Sequence, residues 1–337
     1  MVKRSPAVLT IGDINIDVVF AVPSYPAEGT EVNATASNSR LGGSGCNTAC
    51  VLARLGLHSR LAGHLGSDPH GQMAMQEITR AGVDRSLLEQ SHENTTGFMF
   101  IPITSGGQRT MFGFRGCNAL PYEAERLLAT LSPMDWLHVS GYTFLEERQW
   151  VSVREIVRTA HRMGVPVSLD PSVLTIQTEG KRLVEILPEI ELLLVSEGEV
   201  RAYAQSGSLQ DGLARLGKDG ARQVALKLGG KGSQYIDFGS GERMACPPFR
   251  SREVTDTTGA GDSFNAGFLA GRLKGLPPGQ CLELGNALAF LAITSGSGVS
   301  GLLNLPDISD AMNKLMLVEP REGIKAFGHG LHGKYGF

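Results

Sequence analysis

The sequence predicts an α/β fold that has a mostly parallel central sheet and a second, smaller β-sheet. From about residue 120 onward, segments of strand length alternate with segments of helical periodicity. This alternation is typical of a parallel sheet covered by helices on both faces. Two further β-rich segments, about 17–41 and 95–116, lie outside the alternation, and we expect them to pair into the small sheet.

The amino-terminal half supplies the first strand, the first helix and a hairpin. Residues 7–20 (AVLTIGDINIDVVF) are rich in β-branched side chains and predict a strand. In GGSGCNTACVLARLG (42–56), small residues precede apolar residues at helical spacing, which predicts a helix with Gly56 at its carboxyl end. Gly106 and Gly107 interrupt the second β-rich segment, so we expect it to fold as a hairpin.

The carboxyl-terminal half supplies most of the main sheet. One predicted helix, 147–164, has apolar residues along a single face. The predicted strands are 135–141, 165–171, 191–196 and 223–230. We interpret 1–337 as one domain, and the Gly- and His-rich residues after about 318 as a mobile tail or, alternatively, a docking segment.

Composition excludes several classes of protein. Apolar residues make up 42% of the chain and charged residues 19%, which permits a sizeable core. The net charge is −3 and no block of Lys and Arg occurs, so we expect no nucleic-acid partner. The five cysteines form no CxxC pair, and no apolar run reaches the roughly 18 residues that suggest a membrane span. We therefore expect a cytoplasmic protein with reduced thiols and no membrane contact.

The segment DTTGAGDSF (256–264) combines an anion-binding loop with an acid. The first N–H groups of a helix lack intrahelical partners and carry partial positive charge, so Gly259, Ala260 and Gly261 suit a phosphoryl oxygen. The carboxylate of Asp262 lies at the same place and can take a proton from a hydroxyl. This pattern favours phosphoryl transfer to an alcohol, whereas an ordinary helix start with an acid in its first turn is the alternative.

Three segments resemble the signatures of the ribokinase-like carbohydrate kinases, the PfkB family. DTTGAGDSF is similar to the family's carboxyl-terminal signature, GGSGCNTACVLARLG to its glycine signature, and GDINID (12–17) to its substrate-binding start. The resemblance implies a ribokinase-like three-layer α/β/α sandwich in which the small β-sheet is a lid. It also implies an ATP-dependent kinase that uses Mg²⁺ and phosphorylates a sugar hydroxyl.

The same resemblance implies a role for individual residues. Asp262 would be the catalytic base, and the backbone of residues 259–261 would form the anion hole. The implied substrate-binding residues are Asn15, Asp17, Gly42, Gly43 and Asn47. For Asn15 and Asp17 the alternative is capping of a strand end, and for the other three it is tight helix packing.

Another group of residues is implied on the nucleotide side. KLGGKGS (227–233) resembles a nucleotide-binding loop, although a plain hairpin turn is the alternative. The implied residues are Lys227, Gly229 and Gly232, with Asn286 near the adenine. The family often has Asn-x-x-Glu where this chain reads SEGE, so Ser196 replaces the Asn and Glu199 can still order water around Mg²⁺.

A monovalent-cation site is also implied. Asp256 and Thr258 match positions that bind such an ion in some relatives, which makes K⁺ a further expected cofactor unless Asp256 only caps the helix. GSGVSG (296–301) reads as GxGxxG but follows a helix, so we expect a loop beside the adenine or the cation rather than a dinucleotide site.

The sequence leaves two alternative functions open, and it also predicts a homodimer. A nucleoside kinase on the same scaffold would need an aromatic pocket, for which the candidates are Phe98, Phe100, Phe112 and Phe114. A catalytically silent sugar or nucleotide sensor is the other alternative, which the presence of Asp262 disfavours. Because a flat lid sheet has exposed edges and one apolar face, we expect a homodimer that forms through the lid.

Overall fold

The computed structural model describes residues 4–250, 254 and 256–318, so the predicted tail after about 318 lies almost wholly outside the described residues. Thirteen strands are present in these residues. In chain order they are β1 (Ala7–Ile11), β2 (Asn15–Val22), β3 (Ala36–Gly42), β4 (His58–Gly66), β5 (Asp84–Ser91), β6 (Gly97–Thr104), β7 (Phe112–Phe114), β8 (Trp136–Ser140), β9 (Val167–Asp170), β10 (Leu192–Ser196), β11 (Gln223–Lys227), β12 (Ser233–Asp237) and β13 (Arg243–Cys246).

Eleven α-helices accompany the strands in the described part of the chain. They are α1 (Ser44–Arg54), α2 (Pro69–Ala81), α3 (Ala124–Ala129), α4 (Glu147–Arg162), α5 (Val173–Ile186), α6 (Glu197–Ala204), α7 (Leu209–Lys218), α8 (Ala260–Leu273), α9 (Pro278–Thr294), α10 (Val299–Leu303) and α11 (Ile308–Val318). The predicted helices and the strands predicted after residue 120 are present, with ends that differ by a few residues. The single strand predicted over 7–20 is instead two strands, β1 and β2, which belong to different sheets.

The central sheet has nine strands in the order β13-β12-β11-β10-β9-β8-β1-β4-β5. Every neighbouring pair from β11 to β5 is parallel, whereas β12 and β13 are antiparallel and lie at one edge. The mostly parallel sheet that the sequence predicts is thus confirmed. Its parallel strands place their carboxyl ends along one edge, where open α/β sheets bind ligands.

Helices cover both faces of the central sheet. Alternate side chains of β1 point to opposite faces, since Leu9 and Ile11 belong to one buried cluster and Val8 to another. The first cluster includes side chains from α3 to α7, and the second includes side chains from α1 and from α8 to α11. The molecule is therefore built in three layers.

The small sheet has the order β3-β2-β6-β7 and comes from two separate chain segments. Strand β2 pairs antiparallel with β3 and parallel with β6, and it begins four residues after β1 ends. The predicted hairpin turn is present after β6, where the N–H of Gly107 donates to the carbonyl of Thr104 at 2.8 Å. The small sheet therefore stands beyond the carboxyl end of β1.

Two expectations about cysteine and membranes can be compared with the structure. All five cysteines are buried free thiols. Among the described residues, no helix has both the length and the apolar character needed to cross a bilayer.

Candidate active site

A cavity of about 980 Å³ lies between the small sheet and the carboxyl edge of the central sheet. It brings together most of the residues that the sequence singled out. Those that line it are Asn15, Asp17, Gly43, Asn47, Ser196, Glu199, Lys227, Gly229, Gly232, Thr258, Gly259, Ala260, Gly261, Asp262 and Asn286. Gly42 and Asp256 do not line the cavity and instead contact residues that do.

Asp262 lies in the first turn of α8 and faces the cavity. One of its carboxylate oxygens, Oδ2, accepts a 2.7 Å hydrogen bond from Nδ2 of Asn47 on α1. Burial raises the pKa of Asp262 to about 6, and the negative charge of Asp170 adds to this shift, while Asn47 and Lys227 oppose it. A carboxyl group with this pKa is mostly ionised at neutral pH and still basic enough to accept a proton.

The amino terminus of α8 is open to the cavity. Gly259 has φ +74°, and a Cβ at this position would lie 2.6 Å from Cβ of Val299, so both the backbone conformation and the packing require glycine. No side chain of a described residue caps the helix. The partial positive charge of this terminus therefore faces the same space as the Asp262 carboxylate.

Lys227 and Asp170 form a buried ion pair beneath this helix terminus. The Nζ of Lys227 lies 2.8 Å from Oδ1 of Asp170, and it also donates to Oδ1 of Asn265 at 3.1 Å. Burial would lower the pKa of Lys227, but the charges of Asp170 and Glu199 outweigh it and raise the pKa. Lys227 therefore stays cationic, and a Cβ added to Gly261 would lie 3.6 Å from its Nζ.

Sequence reasoning missed Asp170. This residue ends β9, and its Oδ2 accepts a 2.9 Å hydrogen bond from Oγ of Ser44 at the start of α1. The available signal was an acid at the carboxyl end of a predicted parallel strand, which is where such folds place ligand-binding groups.

Asn118, a buried amide that was not predicted from the sequence, holds the backbone and side chain of residues on the predicted substrate side. Asn118 donates from Nδ2 to Oδ1 of Asn15 at 2.8 Å and bonds both backbone polar groups of Ile14. With its oxygen engaged, Asn15 turns its own NH₂ group away from Asn118. Burial raises the pKa of the neighbouring Asp17 to about 7, although Arg40 opposes the shift.

The two glycines of the GG motif pack closely against Asp17 and against the backbone of Asp13. A Cβ on Gly42 would lie 2.3 Å from Oδ1 of Asp17, and a Cβ on Gly43 would lie 2.2 Å from the carbonyl oxygen of Asp13. Gly43 also has φ +95°, which side-chain-bearing residues rarely adopt. Their observed contacts are therefore close packing against the Asp13–Asp17 segment.

An ion pair between Asp13 and Arg115 lines the same part of the cavity, and the sequence analysis did not identify it. Arg115 follows β7 and donates from Nη1 to Oδ2 of Asp13 at 2.8 Å, and its Nη2 reaches Gln149 at 3.0 Å. Burial raises the pKa of Asp13 to about 6, although Arg115 opposes the shift. The available signal was the first acid of GDINID.

The residues predicted to bind the nucleotide also line the cavity. Ser196 and Glu199 form a reciprocal capping box at the start of α6, and burial raises the pKa of Glu199 to about 7. The segment KLGGKGS forms a hairpin turn between β11 and β12, and its Gly229 and Gly232 line the cavity. It is thus both a turn and a part of the candidate site.

Asn286 is the remaining residue that was predicted on the nucleotide side. Asn286 lines the cavity and donates from Nδ2 to the carbonyl of Pro247 at 3.1 Å.

No group of three or more His, Cys, Asp or Glu residues among the described ones is arranged to hold a metal ion. The available oxygen ligands are single carboxylates such as Glu199, which suits Mg²⁺ carried on nucleotide phosphates.

Comparison with known proteins gives a consistent result. The model of the pfkB family carbohydrate kinases matches residues 5–304. Ribokinase from Arabidopsis thaliana is 25% identical over 325 residues, which cover 94% of this chain and 82% of that protein. ATP-dependent ribose-1-phosphate kinase from Halopiger xanaduensis is 29% identical over 296 residues, covering 86% and 92% respectively.

Solved structures agree in fold. The structure of Arabidopsis thaliana ribokinase complexed with ribose and ATP superposes with a TM-score of 0.79 at 24% identity, covering 93% of this chain and 99% of that one. Adenosine kinase from Sinorhizobium meliloti gives a TM-score of 0.78 at 22% identity, covering 92% and 99%. The predicted ribokinase-like fold with its small second sheet is therefore confirmed.

Proposed function

Because this chain belongs to the pfkB family of carbohydrate kinases, we propose that Asp262 is the base in transfer of the γ-phosphoryl group of ATP to a hydroxyl of a small sugar. One observation carries the proposal. A buried carboxylate with a raised pKa lies in the first turn of α8, whose uncapped amino terminus opens on the same cavity. The group that takes the proton and the groups that stabilise the phosphoryl charge are thus adjacent.

The proton transfer follows from the position of Asp262. A sugar hydroxyl bound beside the Asp262 carboxylate donates its proton to that carboxylate while its oxygen attacks the γ-phosphorus. The bond from the γ-phosphorus to the bridging oxygen breaks, and ADP leaves. Asn47 already donates to one oxygen of Asp262, so this amide fixes the carboxylate. The amide oxygen of Asn47 is buried and has no protein partner among the described residues, which leaves it to accept from a sugar hydroxyl.

We assign stabilisation of the negative charge on the phosphoryl group to backbone N–H groups and to Lys227. The N–H groups at residues 259–261 and the dipole of α8 stabilise the equatorial oxygens, which carry the charge in the transition state. Lys227 lies directly beneath, held by Asp170. Glu199 is the residue we assign to water around Mg²⁺, and the ion supplies neutralisation of the β- and γ-phosphates when it is bound.

Both polar and apolar side chains line the substrate side of the cavity. Asn15, Asp17 and Asp13 provide hydrogen-bonding groups suited to sugar hydroxyls. Apolar side chains line the same region. Met99 and Ile101 lie on β6, which pairs with β2 so that Met99 is directly beside Asp17, and Met111 and Phe114 also line the cavity.

These apolar side chains favour a nucleoside as the second candidate substrate, because a base needs an apolar surface. The aromatic residues named for this purpose do not all contribute. Phe114 lines the cavity, whereas Phe98, Phe100 and Phe112 are absent from its lining. In the strand pleat Phe98 and Phe100 alternate with Met99 and Ile101, so they face the opposite side of the sheet.

A substrate screen tests the proposed function. ADP release would be measured with ATP, Mg²⁺ and single pentoses, hexoses, sugar acids and nucleosides, with the Asp262→Asn variant as the control for background hydrolysis. We expect turnover with one of these classes, and a nucleoside preference would select the second candidate. Absence of turnover with every compound, in protein that binds ATP, would contradict the proposal.

We extend the proposal to a homodimer that forms through the small sheet. The face turned away from the cavity carries a cluster of aromatic side chains, of which Tyr25 is 45% and Phe112 53% exposed. Phe100 packs against Phe20 with ring centroids 4.8 Å apart. Exposed aromatic clusters of this kind mark association surfaces. Sedimentation equilibrium should give a dimer for the wild type and a monomer for Phe112→Ser, and a monomeric wild type would contradict this assignment.

A further inference from the structure

Arg40 connects the small sheet to the loop that carries the candidate anion hole. It lies on β3, and its side chain is only 8% exposed. Its Nη1 donates to Oδ2 of Asp256 at 2.5 Å and to the carbonyl oxygen of Ser297 at 3.1 Å. One guanidinium therefore joins two loops that lie far apart in the chain.

The two loops pack directly against each other beside the anion hole. The N–H of Val299 donates to the carbonyl of Thr258 at 3.1 Å. Gly298 is so close to Thr258 that an added Cβ would lie 2.3 Å from the same carbonyl oxygen. Since Gly259 follows Thr258 and immediately precedes α8, a shift of either loop would move the N–H groups that face the cavity.

The expected monovalent cation does not fit this arrangement. Both oxygens of Asp256 are already engaged, Oδ1 by the N–H of Thr258 at 2.8 Å and Oδ2 by Arg40. The hydroxyl of Thr258 accepts from Nη1 of Arg109 at 3.4 Å. A potassium ion at Asp256 and Thr258 would therefore meet guanidinium charges where it needs oxygen ligands.

We propose that the guanidinium of Arg40 replaces a bound monovalent cation at Asp256, positions the anion-hole loop and makes catalysis independent of potassium. The inference rests on the proposed kinase function, since it assigns a positioning residue for that reaction. The guanidinium of Arg40 places a positive charge against the carboxylate of Asp256, whose side chain is only 17% exposed beside the site. Because Arg40 belongs to the small sheet, it also ties the position of that sheet to the shape of the anion hole.

The wild-type protein gives the first test. Its kcat with the preferred substrate of the screen, and its thermal midpoint, would be measured in tetramethylammonium chloride and in KCl at equal ionic strength. We expect both quantities to be unchanged by the exchange. An active enzyme whose kcat rises when K⁺ is added would overturn this inference and leave the kinase function intact, whereas an inactive enzyme would count against the function itself.

Substitution with chemical rescue gives the second test. Arg40→Ala should lower kcat by about 10- to 100-fold, because misplacement of catalytic groups by an ångström costs this much. Addition of K⁺ or of guanidinium should restore part of the rate. The matched control is Arg60→Ala, which removes a comparable ion pair with Asp84, of 2.7 Å, from an edge of the central sheet. A wild-type kcat in Arg40→Ala, or a loss that neither ion restores, would overturn the proposal.

Discussion

The side-chain amide of Asn47 donates a 2.7 Å hydrogen bond to the carboxylate of Asp262, although the two residues are 215 positions apart in the chain. This bond joins the glycine motif near the amino terminus to the DTTGAGDSF segment near the carboxyl terminus. Helices α1 and α8 pack side by side, and Oγ1 of Thr48 also donates to the carbonyl of Asp262 at 3.3 Å. The two motifs therefore form one site.

The raised pKa of Asp262 predicts an acid limb in the pH profile. A base must be ionised to accept a proton, and burial raises the pKa of this carboxyl to about 6. We therefore expect kcat/KM to fall about tenfold for each pH unit below about pH 6. A profile that stays level down to pH 4.5 would contradict the assignment.

The hydrogen bond from Asn47 predicts a shift of that limb. Asn47 lowers the pKa of Asp262, so Asn47→Ala should move the limb to higher pH. The variant should also raise KM for the acceptor by about 3- to 10-fold, the loss expected for one hydrogen bond. Asn304→Ala, on the loop between α10 and α11, is the control and should leave the profile unchanged. An unshifted limb in Asn47→Ala would show that the bond does not act on the base.

Two glycines at the amino terminus of α8 should respond differently to alanine. Gly259→Ala places a Cβ against Val299 at φ +74°, and we expect a loss of about 1–3 kcal/mol of stability. Gly261→Ala meets nothing closer than 3.6 Å and should keep its thermal midpoint. Its methyl group nevertheless enters the space meant for a phosphoryl oxygen, so kcat should fall. Wild-type kcat in Gly261→Ala would argue against an anion hole at this position.

Stability should depend on pH through Asp262. Its pKa is 3.8 in the unfolded reference and about 6 when folded, so the folded state favours the protonated form. Ionisation therefore destabilises the fold progressively from pH 3.8 to 6, and this penalty is constant above that range. Asp262→Asn should melt at a higher temperature than the wild type at pH 8, with the difference shrinking toward pH 4.

The control for this prediction has the opposite sign. Hydrogen bonds from Ser86 and Arg60 outweigh burial and lower the pKa of Asp84 to about 2. The stabilisation from Asp84 is present above pH 3.8 and is lost as the pH falls through 2. Asp84→Asn should therefore melt below the wild type at pH 8. Equal melting temperatures for Asp262→Asn and the wild type at pH 8 would mean that Asp262 is not buried as an ion.

Local motifs explain why much of the fold and site was predictable. The periodicity of strands and helices can be read from contiguous residues. The proximity of Gly259 and Asp262 can also be read in this way, because they are close in the sequence. Strand β5 was missed because it is an edge strand in which only Leu87 is buried, so its sequence lacks a clear apolar pattern. The apolar pattern of the sequence therefore predicts helices and strands that bury one face, and it is a weaker guide to strands at the edge of a sheet.

Contacts between distant segments explain what the sequence did not reveal. Asp170 acts on Lys227 across 57 residues, and Arg40 reaches Asp256 across 216. Neither pair is marked by spacing or by residue type, because the partners meet only after the sheet has formed. The position of Arg40 shows the consequence, since the motif around Asp256 does not reveal the arginine that lies against it.

The measurement that most directly tests the central claim is the turnover of Asp262→Asn with saturating ATP and acceptor, beside calorimetric binding of ATP. The amide keeps the shape of the side chain but cannot take the proton, so we expect kcat to fall by at least about 100-fold with nearly unchanged ATP affinity. Near-wild-type turnover in this variant would contradict the account, because another group would then remove the proton from the acceptor hydroxyl.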